Sequence, residues 1–563
     1  MKIVNQHFIL ILLFSLLIGW QLLRPGYYAM HDDLQVMRLY EMDRCFRNGQ
    51  IPCRWAPDLV RGYGQPLFNY YSAFPYYLGE VVHLVGFSFV NTSKMLFLLS
   101  LFSSGVAVYL LAKEFMGQKA SLIAALAYMT APYHAVDIFV RGALAESWGL
   151  VFVPLALYAI ITMTKRPSVN QAIILSLALA GLLTTHNITI LMSFPLIIFF
   201  SLLSFLINKE KRKQFLLLLP GTIIGIGLSA FFLFPVLFEK SLIQSGFLTS
   251  DYFDFHAHFA TISQLFTKLS WAYGPSRFNS YQYPETLSYF VGIIQIISIL
   301  SAPVVLFLSR KEKKYHRWLF FILTFLLSLL ALFMTHSRSV YLWDHLPALS
   351  FVQFPWRFLG PLVLLTSLLI GFELDYLVSK WSGSYLTIIP IMLLVTLNFS
   401  YFRFEKYFPG QKDSDKLTGS GYNQQIVGGL LDYLPLTNQK IPQTKAPDLP
   451  TIKSGRIDIN YFDKRSNYFA SEFDVYSEPA VVEFPVMYFP GWNVYQNRNG
   501  ARIKFGLDND YGLISVKLNK GHQIVQAFFE DTPIRQLSNT ITYISSAILL
   551  FWYLINSSKK DEN

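Results

Sequence analysis

Charge is scarce in this chain. Only 14% of its 563 residues are Asp, Glu, Lys or Arg, against about 25% in an ordinary soluble domain. That deficit argues against a water-soluble globule. Cysteine is nearly absent: the chain holds 2, Cys45 and Cys53, with no CxxC spacing. A zinc or iron–sulfur centre is therefore not expected. Both cysteines fall in one loop, as a disulfide or as two free thiols, and spacing alone does not choose between them. No GxxxxGK[ST] stretch occurs, so there is no nucleotide-cradling phosphate loop. No internal repeat with a period of ~20–50 residues is present either. Nor does a small-residue cleavage site follow the apolar run His7–Leu23. Arg24-Pro25-Gly26-Tyr27 comes next, and the run reads as an uncleaved first span.

What fills the sequence instead is apolar. Hydrophobic residues make up 53% and aromatics 17%. Stretches of the ~20 residues needed to cross a bilayer recur along nearly the whole length. Candidate spans are 7–23, 92–112, 119–133, 143–163, 169–185, 188–207, 214–237, 287–308, 317–335, 357–378, 384–402 and 538–556. The net charge of +11 would suggest nucleic acid in a soluble protein. Here the basic residues sit in short loops: Lys113 and Lys119, Lys165-Arg166, Lys209 to Lys213, Arg310 to Arg317, Lys380 and Lys559-Lys560. Such loops are cytoplasmic by the positive-inside rule, so no nucleic-acid partner is expected. The longer, aromatic and acidic loops alternate with them. A multi-pass membrane protein follows, with about a dozen spans, both termini cytoplasmic and the large loops outside.

Three outer regions are long: 24–91, 238–286 and 403–537. The last reads as β. Arg456–Phe462, Val481–Phe489, Ala501–Phe505, Leu513–Leu518 and Gln523–Phe529 are short runs separated by turns such as Asn499-Gly500 and Asp508-Asn509-Asp510. The fold expected is an all-α polytopic bundle over 1–402, an extracytoplasmic β-sandwich-like domain over 403–537, and a final helix and tail over 538–563.

The sharpest polar feature is His31-Asp32-Asp33. The stretch Leu34–Asn48 after it has helical spacing, with Val36, Leu39, Met42 and Phe46 on one stripe and Arg38, Glu41 and Arg44 on another. That pattern predicts a helix lying in the membrane interface. Two adjacent carboxylates at its start could act as a general base or hold a divalent cation, Mg or Mn. Equally, one of them could simply cap the helix. No other cofactor is indicated. In the same loop Arg61 is a candidate phosphate ligand, or an ordinary interfacial residue. Asp137 and Arg141 are four apart and can pair on a helix. Glu146 falls near the start of a span, where an ionisable group is costly unless it faces a polar cavity. His186 and Asn187 end another span on the outer side. Arg357, in Gln353-Phe354-Pro355-Trp356-Arg357, is a second phosphate candidate or a snorkelling anchor. Trp492, in Tyr488-Phe489-Pro490-Gly491-Trp492, could stack on a sugar or belong to a core.

In order, these pieces resemble the GT-C class of membrane glycosyltransferases: one span, an acidic motif, an interfacial helix, the aromatic and proline-containing segment Pro66 to Tyr77, a second interfacial helix, then the next span. Within that class the chain is similar to bacterial YfhO-like membrane proteins and to relatives labelled 6-pyruvoyl-tetrahydropterin synthase-related. The resemblance rests on His31-Asp32-Asp33, Arg141-Gly142-Ala143, His186-Asn187, Phe354-Pro355-Trp356-Arg357 and Tyr488-Phe489-Pro490-Gly491-Trp492, spread over nearly the full length. The metal-binding histidine cluster of a pterin enzyme is not found, so pterin chemistry is not carried over. The resemblance implies transfer of a sugar from a polyprenyl-phosphate donor to an extracytoplasmic acceptor, such as a cell-wall polymer, glycolipid or protein. Asp32 or Asp33, beside His31, would deprotonate or position the acceptor. Arg61, Arg141 or Arg357 would stabilise the departing lipid phosphate. His186, Asn187, Trp356 and Trp492 would line the substrate site, with Asp137, Arg141 and Glu146 as a second charged set. On this reading Asp33→Asn abolishes transfer.

Two other readings compete. A transporter or flippase for lipid-linked glycans would be expected to show repeats and mid-membrane ionisable groups. Here the acidic residues gather at the outer boundary instead. A non-catalytic scaffold whose β domain binds cell-surface polymer would keep the same architecture.

Overall fold

The computed structural model describes residues 2–207, 218–277, 285–311, 315–381, 383, 385–429, 433–496 and 500–561. The basic loop Lys209–Lys213, residues 312–314 of another basic loop and the turn residue Asn499 lie outside these.

Every stretch expected to span coincides with helix, but not all are long enough to cross unaided. Phe89–Ala112, Leu144–Lys165, Leu218–Phe238, Tyr315–Met334, Pro355–Lys380 and Pro533–Ser557 meet the length and apolarity of a span. A bent pair, Gln118–Met129 with Pro132–Arg141, makes 7 if counted as one. Gln6–Ile18, Val169–Thr185, Asn187–Leu203, Ile293–Ser309 and Tyr385–Tyr401 are shorter apolar helices of 10–17 residues. At 1.5 Å per residue a stretch of 17 reaches about 26 Å, at the lower limit for the ~30 Å hydrocarbon core, and the helix from Asn187 continues to Ile207. By length and composition alone, 6 or 7 crossings are met among the described residues.

Leu144–Lys165 is the central helix, with 89% of its apolar window covered by protein. It packs against Phe89–Ala112, Val169–Thr185 and Asn187–Ile207. Pro533–Ser557 is peripheral, with 17% of its window covered, and it leans on Leu218–Phe238. A charged residue is therefore sustainable near the start of Leu144–Lys165, where protein rather than lipid surrounds it.

The bend of 42° after Gln118–Met129 has a local cause. Pro132 has no N–H to continue the helix, so the chain restarts at Pro132–Ala135 and widens into a π turn over Val136–Arg141. Gly142 closes the turn at φ 64°, and a Cβ there would lie 2.2 Å from Met30 Sδ. Only glycine fits both demands.

The first loop is enclosed by protein. In the helix Gln35–Arg47 the apolar Val36, Leu39 and Met42 are buried, but so are Gln35, Arg38, Glu41 and Asp43. The polar stripe meets protein where the sequence pattern alone suggested water. Cys45 and Cys53 are joined as a disulfide. The strand Gly26–Tyr28 pairs antiparallel with Tyr407–Pro409, tying the loop to the chain beyond the bundle.

Strands of the C-terminal region begin at Thr451 and form two antiparallel sheets. One runs Ile457–Lys464, Tyr468–Val475, Gly521–Phe529, Trp492–Gln496, Ala501–Arg502 in spatial order. The other runs Thr451–Ser454, Ala480–Met487, Leu513–Leu518. Their buried side chains meet in a single core that also takes in Trp55, Val60, Tyr63 and Tyr70 of the first loop. Trp492 is 2% exposed at its centre, edge-on to Trp55 at 5.7 Å and against Phe469 at 5.6 Å. It has no free face for a sugar; its role is packing.

Trp492→Ala should therefore act on stability, lowering it by about 3–5 kcal/mol. Limited proteolysis should then cut between the strands at a temperature where wild type is resistant. Unchanged resistance would remove Trp492 from the core.

Candidate active site at the end of the bundle

The turn His31-Asp32-Asp33 is held by backbone. His31 N–H donates to Val140 O at 3.0 Å, and Asp32 N–H to Arg141 O at 2.9 Å. The acidic turn is thus bonded directly onto the π turn that carries Asp137 and Arg141. Asp32 Oδ2 accepts from Arg38 Nη1 at 2.7 Å, from Gln35 Nε2 at 3.0 Å and from Tyr71 OH at 3.4 Å. Gln35 Nε2 also donates to Gly142 O at 2.8 Å, and Gln35 Oε1 accepts from Tyr76 OH at 2.7 Å. These bonds fix the carboxylate of Asp32.

Asp33 turns elsewhere. Its carboxylate pairs with Lys416, and its backbone carbonyl accepts from Gln425 Nε2 at 2.8 Å. Burial pushes its pKa above the ordinary carboxylate value, with Lys416 opposing. Asp33 anchors the segment after the bundle and is not among the residues lining the cavity described next.

Beside Asp32 lies a charged cluster. Arg141 Nη1 donates to Asp137 and, at 2.8 Å, to Glu146 Oε2. Arg357 Nε approaches the same Glu146 oxygen at 3.5 Å, while its Nη1 donates to Val352 O at 2.8 Å and Gln353 Oε1 at 3.0 Å. Tyr133 OH donates to the other oxygen of Glu146. Each guanidinium lies on an aromatic ring, Arg141 over Trp356 and Arg357 over Phe354, both at 4.6 Å. Those two rings stack at 5.3 Å and 7°. Arginine suits such a place because its planar cation can stack and pair at once.

All of this opens on a cavity of 570 Å³. His31, Asp32, Arg141, Glu146, His186, Asn187, Trp356 and Arg357 line it. Asp137 lies beneath Arg141, fully buried. Arg38, Arg141, Lys240 and Arg357 line it together with Asp32 and Glu146, four basic groups to two acidic. Counting Asp137 beneath them leaves an excess of one positive charge. Ile188, Leu191, Val236 and Leu248 give the cavity an apolar side.

Arg61 and Trp492 are away from the cavity. Arg61 sits at φ 58°, with its N–H on Ile426 O at 2.8 Å and its Nε on Pro442 O at 2.8 Å. It braces the loop through its backbone N–H and its Nε. As for a cation, Asp32 and Asp33 each face their own basic partner, and the described residues contain no group of three or more His, Cys, Asp or Glu suited to a metal. These two carboxylates, each turned to its own cation, do not fit a shared divalent cation.

The sequence pattern missed Arg38, Tyr71, Lys240 and Tyr433 as lining residues. Arg38 had a signal: it lies two turns after Asp32, on the stripe assigned to water. Tyr433 and Lys240 come from distant segments and had none.

The chain belongs to the family described as the 6-pyruvoyl-tetrahydropterin synthase related domain, a family of membrane proteins, which it matches over residues 68–404. It is 24% identical over 307 residues to an uncharacterized protein of Lactococcus lactis subsp. cremoris (strain MG1363), covering 53% of this chain and 49% of that one. It thus spans about half the length of the curated relative it matches. Among solved structures it has a distant likeness to the arabinofuranosyltransferase AftD from Mycobacteria, with a TM-score of 0.45 and 14% identity over 72% of this chain and 27% of that one. ArnT from Cupriavidus metallidurans bound to undecaprenyl phosphate gives a TM-score of 0.30 and 14% identity over 70% of this chain and 89% of that one.

Thermal denaturation separates the bracing residues from the charged cluster. Arg61→Ala should lose about 1 kcal/mol, one hydrogen bond's worth. Glu146→Ala strips two buried guanidinium groups of their shared partner and should lose about 3–5 kcal/mol. Equal losses would show that Glu146 does not hold the two arginines together.

Proposed function

We propose that this protein is a membrane glycosyltransferase that moves a sugar from a polyprenyl-phosphate donor to an acceptor outside the cytoplasm. One observation carries the reading. A single cavity joins a fixed carboxylate, two arginines lying on stacked rings, and an apolar side formed by Ile188, Leu191, Val236 and Leu248. A lipid-borne phosphate ester needs the arginines and the apolar side, and a hydroxyl nucleophile needs the carboxylate.

Several features support the orientation. On Leu144–Lys165 the cavity residue Glu146 is at one end and Lys165 at the other. Pro355–Lys380 repeats this with Arg357 and Lys380. Basic ends opposite the cavity favour a cavity on the outer face. The Cys45–Cys53 disulfide, on the cavity side, suits an oxidising compartment.

In the reaction, the acceptor hydroxyl oxygen bonds to the anomeric carbon of the donor sugar. The bond from that carbon to the phosphate oxygen breaks, and its electron pair leaves with the polyprenyl phosphate. The hydroxyl proton passes to Asp32. Arg141 and Arg357, held by Glu146, stabilise the charge on the departing phosphate. Arg38 and Gln35 keep Asp32 in place. His186 and Asn187 line the same cavity beside the sugar.

The test uses purified protein in lipid nanodiscs with a panel of polyprenyl-phosphate sugars, following release of the lipid phosphate. Asp32→Asn should slow release by about 10²–10⁴-fold, the span of lost general-base catalysis. Asp33→Asn should slow release by no more than about 10²-fold, the cost of a small misplacement, since Asp33 does not line the cavity. Full activity in folded Asp32→Asn would remove it as the base.

A further inference from the structure

We infer that the acceptor is a carbohydrate, bound with a sugar ring against Tyr71 and Tyr433. This rests on the proposed transfer and names its second substrate class.

The cavity has two aromatic regions, and both carry guanidinium groups. Arg141 and Arg357 lie over Trp356 and Phe354. In the other region, which is tyrosine, Arg38 lies over Tyr71 at 4.2 Å. Tyr71 and Tyr433 both line the cavity, with ring centres 6.4 Å apart at 60°. Tyr433 stacks on Tyr70 at 5.7 Å and 19°. Tyr70 in turn meets Phe489 of the β core edge-on and donates its hydroxyl to Glu239 O at 2.8 Å. The tyrosine wall is therefore rigidly backed.

This wall adjoins the base. Tyr71 OH donates to Asp32 Oδ2 at 3.4 Å and accepts from Arg38 Nη1 at 2.9 Å. The other carboxylate lining the cavity, Glu146, is enclosed by Arg141, Arg357 and Tyr133. A nucleophile reaching Asp32 thus arrives along the tyrosines. The ring of Tyr433 offers a flat face for the C–H side of a sugar. Arg38, the cation bonded to Asp32, is committed to that carboxylate and to Tyr71 rather than to an anionic polymer.

The experiment is saturation-transfer NMR on the full chain in nanodiscs. The probes are maltotriose, chitotriose, an oligo(glycerol phosphate) and a Ser/Thr peptide. Binding of a polyprenyl phosphate is measured on the same samples. A saccharide should give the saturation signal. Tyr433→Ala should weaken that binding at least tenfold, and Tyr433→Phe, which keeps the ring, should restore it to within threefold. Tyr71→Ala provides a second loss should Tyr433→Ala fail to fold. If wild type binds polyprenyl phosphate but no saccharide, or Tyr433→Ala binds saccharide as wild type does, the inference falls. Preference for the glycerol phosphate oligomer or the peptide overturns it as well. Failure to bind polyprenyl phosphate overturns the underlying transfer reading instead.

Discussion

Two arginines converge on one buried carboxylate. Arg141 and Arg357 both reach Glu146 Oε2, at 2.8 and 3.5 Å. Neither could be buried at the end of a membrane bundle alone, because an unpaired charge there costs several kcal/mol. Glu146 is possible because Leu144–Lys165 is sheathed by other helices. Arg141 arrives through the break at Pro132 and the left-handed Gly142. Arg357 follows Gln353, which takes φ 67° where the chain enters its helix. Local backbone irregularity on both sides thus brings two cations to one anion. With Asp137 counted, the lining keeps a positive excess, which suits an anionic substrate.

The first loop links this cluster to the strands beyond the bundle. Its helix Gln35–Arg47 presents Arg38 to Asp32 on one side and Glu41 and Arg44 to Asp58 on another. Lys464, from the first strand of the five-stranded sheet, donates to Gly62 O close by. Burial in this junction pushes Glu41 up and brings Lys464 down to about 8. Tyr70, Trp55 and Tyr63 pass from the loop into the β core. The sheets therefore rest on the loop that holds the acidic turn, and the wall near Asp32 is continuous with them through Tyr70.

Much of this was legible because it is local. Apolar runs marked the helices, and short alternating runs marked Ile457–Lys464, Ala480–Met487 and Gly521–Phe529. Tyr468–Val475 was missed because Ser471 takes a buried position between Phe469 and Phe473 and breaks the apolar series. Within the site, Asp32, Arg141, Glu146, His186, Asn187, Trp356 and Arg357 were singled out as ionisable or aromatic residues at span ends, and all line one cavity. Asp32 and Asp33 were indistinguishable by pattern. They differ through Lys416, nearly four hundred positions along the chain, with no sequence signal. Arg61 looked like a phosphate ligand because its carbonyl partners, Pro442 and Ile426, are equally remote.

The claim at the centre is that one cavity holds both the base and the lipid phosphate at separate groups. Equilibrium binding of a sugar-free polyprenyl phosphate to wild type, Arg357→Gln and Asp32→Asn, all in nanodiscs, tests it most directly. Arg357→Gln should weaken binding by at least about tenfold, the worth of one charge-assisted contact. Asp32→Asn should bind as tightly as wild type or more so. Binding indifferent to Arg357, or lost in Asp32→Asn with the fold intact, would contradict the account.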